Sequence, residues 1–231
     1  MQAINTLSVK TFDVGPMLNI VYLIWDSKTK DAAIVDPAWE LTEVLNFINQ
    51  KKLRLRKILL THSHHDHVNS IDIILNQYDI PIYINKLEAD FWTKEYDNLL
   101  TTNSNEKILL GSTEISSLHT PGHTPGSCCY SFEGNLIAGD TLFVFGCGRC
   151  DLHGGSPEEM YKSLKHLKEN LSKETIIMPG HNYSIKRNST LKEEIQGNPF
   201  FSFNNIKDFI RYRMHEHDKT RDEPYAPLID C

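Results

Sequence analysis

Short segments rich in β-branched and aromatic residues begin the chain and alternate with turn residues. This pattern predicts three β-strands, at Ser8–Asp13, Asn19–Trp25 and Asp31–Val35. The turn signals Gly15-Pro16 and Asp26-Ser27 separate them. The chain is therefore expected to open with strands that follow one another directly.

Apolar residues then recur at helical spacing, which predicts a first helix around Leu41, Val44, Leu45 and Ile48. The segment Arg54–Leu60 returns to the strand pattern, and a second helix is predicted over Asn69–Tyr78. A third helix is predicted from Ser156 to about Leu171, because a hydroxyl cap, a proline and two acidic residues come together at its start.

Further short strands are predicted at Ile82–Ile84, Lys107–Leu110, Thr113–His119, Ser127–Phe132 and Asn135–Ala138. Two groups of strands, each flanked by helices, favour an α/β fold in four layers, with two sheets between outer helices. The periodicity by itself does not determine the order of the strands.

Composition agrees with one such domain. The chain has 231 residues, of which 40% are hydrophobic and 23% charged, so it can bury a sizeable core. We expect a single domain over residues 1–231, with a short C-terminal helical extension from about residue 200. A net charge of −6 without a basic stripe argues against a nucleic-acid partner. No apolar run reaches the length of a membrane span, and Met1–Lys10 lacks the pattern of an export signal, so we expect a cytoplasmic location.

Five cysteines are present, at positions 128, 129, 147, 150 and 231. An odd number in a chain of this size is not typical of a disulfide framework. Cys147-Gly148-Arg149-Cys150 resembles a redox or metal knuckle, but we favour free structural thiols.

The densest chemical signal is the segment Thr61-His62-Ser63-His64-His65-Asp66-His67, which directly follows the apolar run Ile58-Leu59-Leu60. It places four imidazoles and one carboxylate within seven residues. Neutral imidazole and carboxylate are ligands that cations such as zinc take. A loop at the end of a strand lets such side chains converge, so the segment predicts a metal site.

Three later segments share one form, an apolar or β-branched run that ends abruptly in a potential ligand. They are Ile115–His123, Asn135–Asp140 and Thr175–His181, and each contains a glycine directly before its last residue. Glycine lets the backbone turn sharply as it leaves a sheet, and ligands presented from strand ends form a rigid site.

Together these motifs resemble the metallo-β-lactamase fold superfamily, and most closely its glyoxalase II branch. The motifs in order are Thr-His-x-His-x-Asp-His, Pro-Gly-His-Thr, Gly-Asp-Thr-Leu-Phe and Gly-His-x-Tyr, within about Phe12–Pro199. The resemblance implies an αββα sandwich with metals at one edge between the sheets. By motif position, it implies a first metal bound by His62, His64 and His123. It implies a second bound by Asp66, His67 and His181, with Asp140 bridging the pair.

The family's chemistry would be hydrolysis by a hydroxide held on two Zn²⁺ ions, although iron or manganese would fit the same ligands. Asp66 and Asp140 are the carboxylates implied in catalysis. A thioester suits such a site because a thiolate is a good leaving group. An alternative within the same resemblance is a mononuclear-iron persulfide dioxygenase, which also has an arginine followed two residues later by an aspartate.

Two residues match positions where glyoxalase II holds glutathione, namely Arg149 and Tyr183. Asp151, however, stands where that branch has a tyrosine. Arg149 could equally hold the phosphate or amide of a pantetheine arm, since a guanidinium forks onto either kind of acceptor. The loop from Gly148 to Gly155 is similar to zinc hydrolases associated with polyketide biosynthesis. The partner is therefore expected to be a small-molecule or carrier-protein-bound acyl thioester, either S-acylglutathione or acyl-pantetheine.

The remaining histidines are expected to lie outside the metal site. His65 and His119 fall between motif positions and are interpreted as supporting or surface imidazoles. His215-Glu216-His217 belongs to a charged terminal helix, Phe209–Asp218, for which we expect a solvated face.

Overall fold

The first of two six-stranded sheets contains the six N-terminal strands in their chain order. A computed structural model describes residues 6–221 and 223–228. The strands are β1 (Leu7–Val14), β2 (Asn19–Asp26), β3 (Asp31–Val35), β4 (Arg54–Leu59), β5 (Ile82–Asn85) and β6 (Leu99–Thr102). Strands β1 to β3 are antiparallel, whereas β3 to β6 are parallel.

The second sheet has the order β14-β13-β10-β9-β8-β7. Its strands are β7 (Glu106–Leu110), β8 (Thr113–His119), β9 (Cys128–Phe132), β10 (Asn135–Gly139), β13 (Ile176–Pro179) and β14 (Ser189–Thr190). A separate ribbon consists of β11 (Leu142–Phe143) and β12 (Gly146–Cys147). Strands β10 and β13 are parallel, so their carboxyl ends reach the same edge of the sheet.

The α-helices are α1 (Thr42–Lys51), α2 (His65–Val68), α3 (Ile71–Leu75), α4 (Lys86–Trp92), α5 (Pro157–Asn170), α6 (Leu191–Gly197), α7 (Ile206–Arg211) and α8 (His217–Thr220). A 3₁₀ turn, Pro199–Phe201, precedes α7, and a π-helical turn, Tyr212–Glu216, joins α7 to α8. Within residues 6–221 and 223–228, no helix is both long enough and apolar enough to cross a membrane.

Three buried clusters separate four layers. The first lies between the first sheet and helices α1 and α3, and includes Ile34, Val44 and Ile71. The second joins the facing sides of the two sheets. The third packs the second sheet against α5, α6 and α7, for example through Leu136 and Leu164. The predicted four-layer α/β arrangement, the αββα sandwich, is therefore confirmed.

The bounds of the predicted strands differ by no more than one residue from those in the structure. Helix α5 begins as expected, with the Ser156 hydroxyl accepting a hydrogen bond from the Glu159 N–H at 3.2 Å. The helix predicted over Asn69–Tyr78 is shorter in the structure, where α3 covers Ile71–Leu75 and a break at Asn69 and Ser70 separates it from α2. The break occurs because Asn69 Oδ1 accepts from the Trp39 N–H and Ser70 Oγ donates to the Trp39 carbonyl. Such bonds from side chains to backbone compete with a continuous helix.

The prediction of a solvated face for the terminal helix is also wrong in part. His215 is exposed, but Arg213 and His217 are 3% and 1% exposed. They lie on one face, with Arg213 Nη1 2.9 Å from His217 Nδ1, and the ring of His217 packs on Phe200 at 4.8 Å. Aromatic residues outside the helix thus cover Arg213 and His217, which the sequence pattern placed in solvent.

Four cysteines are buried free thiols, at positions 128, 129, 147 and 150. Burial raises the pKa of Cys147 to about 12, so this thiol stays protonated. This agrees with structural thiols. Cys231 lies outside the described residues.

The buried carboxyl of Glu194 in α6 supports the β11–β12 ribbon. It is 0% exposed and accepts hydrogen bonds from the Phe145 N–H and from Asn198 Nδ2, at 3.0 and 2.8 Å. Burial outweighs these bonds and raises its pKa from 4.5 to about 7. The folded state therefore holds this proton more tightly than the unfolded state does.

We expect Glu194 to make unfolding depend on pH. Because its folded pKa is raised, its stabilising contribution is complete below about pH 4.5 and is lost as pH rises through about 7, an effect of about 3 kcal/mol. Glu194→Gln carries no titrating proton, so it should gain stability relative to the wild type between these pH values. Urea unfolding of both proteins at pH 5 and pH 8 measures this difference. An equal difference at both pH values would contradict it.

Candidate metal centre

The predicted ligand side chains all leave strand ends at one edge of the sandwich. His62 and His64 follow β4 of the first sheet, and the same loop continues into α2, which carries Asp66 and His67. The second sheet contributes one residue after each of three strands, namely His123, Asp140 and His181. The two sheets therefore supply the site jointly.

Glycine is required at two of these strand ends. Gly139 has a φ of +49°, and a Cβ there would lie 2.4 Å from Thr61 Oγ1. A Cβ on Gly180 would lie 2.3 Å from Asp140 Oδ1. The glycine that precedes each ligand thus allows a left-handed turn in one case and close approach of the backbone in the other.

One group of three imidazoles could hold a metal ion: His62, His64 and His123. Each offers one nitrogen, and these nitrogens lie within 4.8 Å of one another. His123 Nε2 is 2.8 Å from His64 Nδ1. Nε2 of His62 is buried and has no hydrogen-bond partner.

A second group consists of Asp66, His67 and His181, whose ligand atoms also lie within 4.8 Å of one another. His67 Nε2 is 3.1 Å from His181 Nε2. Asp140 lies between the two groups, with Oδ2 3.5 Å from His123 Nε2 and 3.3 Å from His181 Nε2. The structure therefore brings all seven predicted ligands together.

In three imidazoles, the ring nitrogen that faces away from the site already has a hydrogen-bond partner. His123 Nδ1 lies 2.7 Å from the Arg149 carbonyl, His181 Nδ1 lies 2.8 Å from the Met17 carbonyl, and His67 Nδ1 lies 3.1 Å from Asp36 Oδ2. Each acceptor takes an N–H from that side, so Nε2 of each ring faces into the site.

This arrangement fits bound cations. Two pairs of nitrogens, His64 with His123 and His67 with His181, face each other at 2.8 and 3.1 Å. Because two facing lone pairs repel, each pair needs a proton or a metal cation between its nitrogens. The buried Asp140 Oδ1 likewise has no hydrogen-bond partner. Imidazole and carboxylate donors in these numbers suit zinc and similar divalent ions.

A cavity of about 550 Å³ opens above the two groups of ligands. Arg149 and Tyr183 line it, as do Arg213 and Tyr225 of the C-terminal segment, which the sequence did not indicate. The Tyr183 ring stacks on His181, with centroids 4.7 Å apart. The cavity therefore joins the metal-ligand groups to a wall that could hold a substrate.

The family model that describes the metallo-beta-lactamase superfamily matches residues 14–181, which contain all seven ligand positions. The chain belongs to the metallo-β-lactamase superfamily. The recognition made from the motifs is thus confirmed.

Two curated relatives in the superfamily differ in their described roles. The probable polyketide biosynthesis zinc-dependent hydrolase PksB of Bacillus subtilis is 33% identical, over 87% of this chain and 89% of that protein. A hydroxyacylglutathione hydrolase of Pectobacterium atrosepticum is 38% identical, over 72% of this chain but 63% of that protein. The crystal structure of ETHE1 from Myxococcus xanthus superposes with a TM-score of 0.82 at 24% identity, over 90% of both chains, which shows a shared fold.

Two residues of this superfamily member that support the ligands were missed in the sequence. Asp36 accepts hydrogen bonds from the Thr61 N–H and Thr61 Oγ1, at 2.8 and 2.6 Å, besides its contact with His67. Asn19 Nδ2 donates to Asp66 Oδ2 at 2.8 Å. Asp36 follows the apolar strand Asp31–Val35, so the pattern that located other ligands could have found it. Asn19 carries no such signal.

Burial and the charges of neighbouring residues shift the pKa values of the side chains in the site. Burial would lower the pKa of His67, but the carboxylates of Asp140 and Asp36 outweigh it and raise that pKa to about 9. Burial lowers the pKa of His123 to about 4, so this imidazole stays neutral. Burial would raise the pKa of Asp140, but the nearby His181 and His67 hold it well below its usual range. Asp140 is therefore ionised.

His65 and His119 lie apart from the ligand groups. His65 is exposed on α2, and His119 Nε2 lies 2.9 Å from the Pro125 carbonyl. Within residues 6–221 and 223–228, neither residue belongs to a group that could hold a metal ion.

We expect Asp36→Asn to weaken cation binding at the group of Asp66, His67 and His181. The amide cannot accept from His67 and Thr61 in the way the carboxylate does, and loss of such a partner typically costs about 10–100-fold in metal affinity. Zinc titration against a chromophoric chelator measures this. Asp31→Asn, on the same strand but in a surface ion pair, is the control. Equal zinc affinity in the two variants would contradict the role of Asp36.

Proposed function

We propose that this protein is a dinuclear-metal hydrolase of acyl thioesters. The observation that carries the proposal is the pair of three-ligand groups, one of imidazoles and one of Asp66, His67 and His181, with the ionised Asp140 between them. Two Zn²⁺ ions are the expected occupants, and iron or manganese would suit the same donors.

When bound, the cations would supply Lewis acidity, which lowers the pKa of water towards neutrality and polarises the thioester carbonyl. Asp140 contributes a negative charge that holds both groups of imidazoles together. Asp66 lines the cavity and, held by Asn19, presents its carboxylate to the space where water and substrate meet. Tyr183 and Phe143 form an aromatic wall of the cavity beside His181.

For the thiol arm, we propose acyl-pantetheine or a carrier-protein thioester ahead of S-acylglutathione. The Arg149 guanidinium donates to Asp151 through two bonds of 3.0 and 2.7 Å. The negative charge of Asp151 at this position disfavours the carboxylates of glutathione, whereas the amides of a pantetheine arm carry no charge. The similarity to PksB over 89% of that protein supports the same choice. Tyr183 would contact the arm from the other wall.

The test compares hydrolysis of S-D-lactoylglutathione with that of an acyl-pantetheine thioester of similar acyl size, on protein whose metals have been quantified. We expect a higher kcat/KM for the pantetheine compound. A preference for the glutathione compound would instead make this a glyoxalase II. If protein that holds two cations hydrolysed neither compound, the proposed function would be wrong.

The alternative, a mononuclear-iron persulfide dioxygenase, is supported by the Arg149–Asp151 ion pair, of which Arg149 lines the cavity. One iron would need only one group of ligands, and the second complete group therefore favours the hydrolase. Oxygen uptake on glutathione persulfide, together with one iron per chain, would reverse this order.

We also propose that residues 1–231 act as one domain, because Arg213 and Tyr225 line the same cavity as the metal ligands. A cytoplasmic location remains our proposal. Four buried free thiols suit a reducing compartment.

A further inference from the structure

Glu88 in α4 is a fully buried carboxylate that belongs to neither group of metal ligands. It is 0% exposed. Its Oε1 accepts hydrogen bonds from the Ser63 N–H and Ser63 Oγ, at 2.7 and 2.6 Å. Its Oε2 accepts from Thr124 Oγ1 and the Gly126 N–H, at 2.7 and 2.9 Å. One side chain thus receives four hydrogen bonds from two separate loops.

Those two loops carry the three imidazoles of one metal-ligand group. Ser63 lies between His62 and His64 in the loop after β4 of the first sheet. Thr124 directly follows His123 in the loop after β8 of the second sheet. Glu88 therefore connects the two halves of this group at the residues next to its ligands.

The contact is tight as well as polar. A Cβ on Gly126 would lie 2.0 Å from the Glu88 backbone nitrogen, so the second loop packs directly on α4. The four donors to Glu88 are all uncharged. A buried charge is costly unless hydrogen bonds satisfy it, and here both loops supply those bonds.

We propose that Glu88 is a positioning residue that fixes His62 and His64 relative to His123. It thereby sets the cation affinity of this group, and not that of the group of Asp66, His67 and His181. The inference rests on the proposed function in one respect, that both groups bind cations.

Glutamine cannot replace this carboxylate. Each oxygen faces a backbone N–H, from Ser63 on one side and Gly126 on the other, and a backbone N–H cannot reverse its direction. Whichever way the amide turns, its NH₂ meets one of these donors. Glu88→Gln must therefore release one of the two loops.

The experiment measures zinc binding, with Zn²⁺ alone as probe, by competition with a chromophoric chelator and by metal analysis after dialysis. The wild type should hold two cations. Glu88→Gln should lose about 10–100-fold in affinity at one site, the range seen when a partner of a metal ligand is removed. The other site should keep its affinity.

Double variants locate the affected site. In a His64→Ala background, where the imidazole group is already broken, Glu88→Gln should cause no further loss of zinc. In a His181→Ala background, the same substitution should remove most of the remaining zinc. Equal loss in both backgrounds, or two cations held with wild-type affinity by Glu88→Gln alone, would overturn the proposal.

Two controls keep the outcome decisive. Glu194→Gln also replaces a fully buried carboxylate, but its hydrogen bonds go to Phe145, Ser189 and Asn198 and not to the Ser63 or Thr124 loop, so it should keep both cations. If Glu88→Gln does not fold, Ser63→Ala and Thr124→Val each remove one hydroxyl bond to Glu88 and leave its backbone bonds intact. Each should cause a smaller loss at the same site, and unchanged affinity in both would overturn the proposal.

The proposed function can be wrong while the role proposed for Glu88 is right. Wild-type protein that holds two cations and hydrolyses no thioester would remove that function and leave the role of Glu88 in place.

Discussion

Replacing His64 with alanine should remove one bound cation and nearly all thioester hydrolysis. Its Nδ1 lies 2.8 Å from His123 Nε2, and with His62 these residues form one of the two ligand groups. Loss of a partner behind a ligand costs about 10–100-fold in metal affinity, so loss of the ligand itself should exceed that range. Metal analysis after dialysis and kcat/KM for an acyl-pantetheine thioester are the measurements.

The neighbouring residue provides a matched control. His65 is exposed on α2 and belongs to no ligand group. His65→Ala should therefore keep both cations and near-normal turnover. If both substitutions reduced zinc and activity to the same extent, a general effect on the loop would explain the result, and the assignment of His64 would be wrong.

Asp140→Asn should lower kcat/KM by about 10³-fold or more, beyond the effect of losing a single donor to a transition state. The carboxylate lies between the two ligand groups, and nearby imidazoles keep it ionised. The neutral amide removes the charge that both cations would share, while its size and shape change little. Zinc content and hydrolysis should therefore fall together.

Asp90→Asn is the control, since this aspartate forms a surface ion pair with Lys86 far from the ligand loops in the chain. It should leave zinc content and turnover unchanged. Asp140→Asn protein that retained both cations and hydrolysed thioesters at the wild-type rate would show that Asp140 does not join the two sites.

The candidate ligands could be recognised in the sequence because each follows a strand end. His62 and His64 come after the run Ile58-Leu59-Leu60, and His181 comes after Met178-Pro179-Gly180. Their joint arrangement depends on which strands are neighbours, and the resemblance to a family supplied that order. The parallel pairing of β10 with β13 has no local signal.

Asn19 and the burial of the terminal helix could not be predicted, for a different reason. Asn19 contacts Asp66 across 47 positions in the chain, and its asparagine side chain has no motif of its own. Burial of Arg213 and His217 depends on Phe200, which lies outside their helix. The break at Asn69 and Ser70 likewise depends on Trp39. Each of these contacts depends on a residue that is distant in the chain, which a local sequence pattern does not reveal.

The most direct measurement follows thioester hydrolysis while Zn²⁺ is returned to protein from which a chelator has removed all metal. Activity should be negligible without cations and should rise to its full value only as the second cation binds to each chain. Near-normal turnover in metal-free protein would contradict a metal-dependent hydrolase. Full activity at one cation per chain would contradict a dinuclear one.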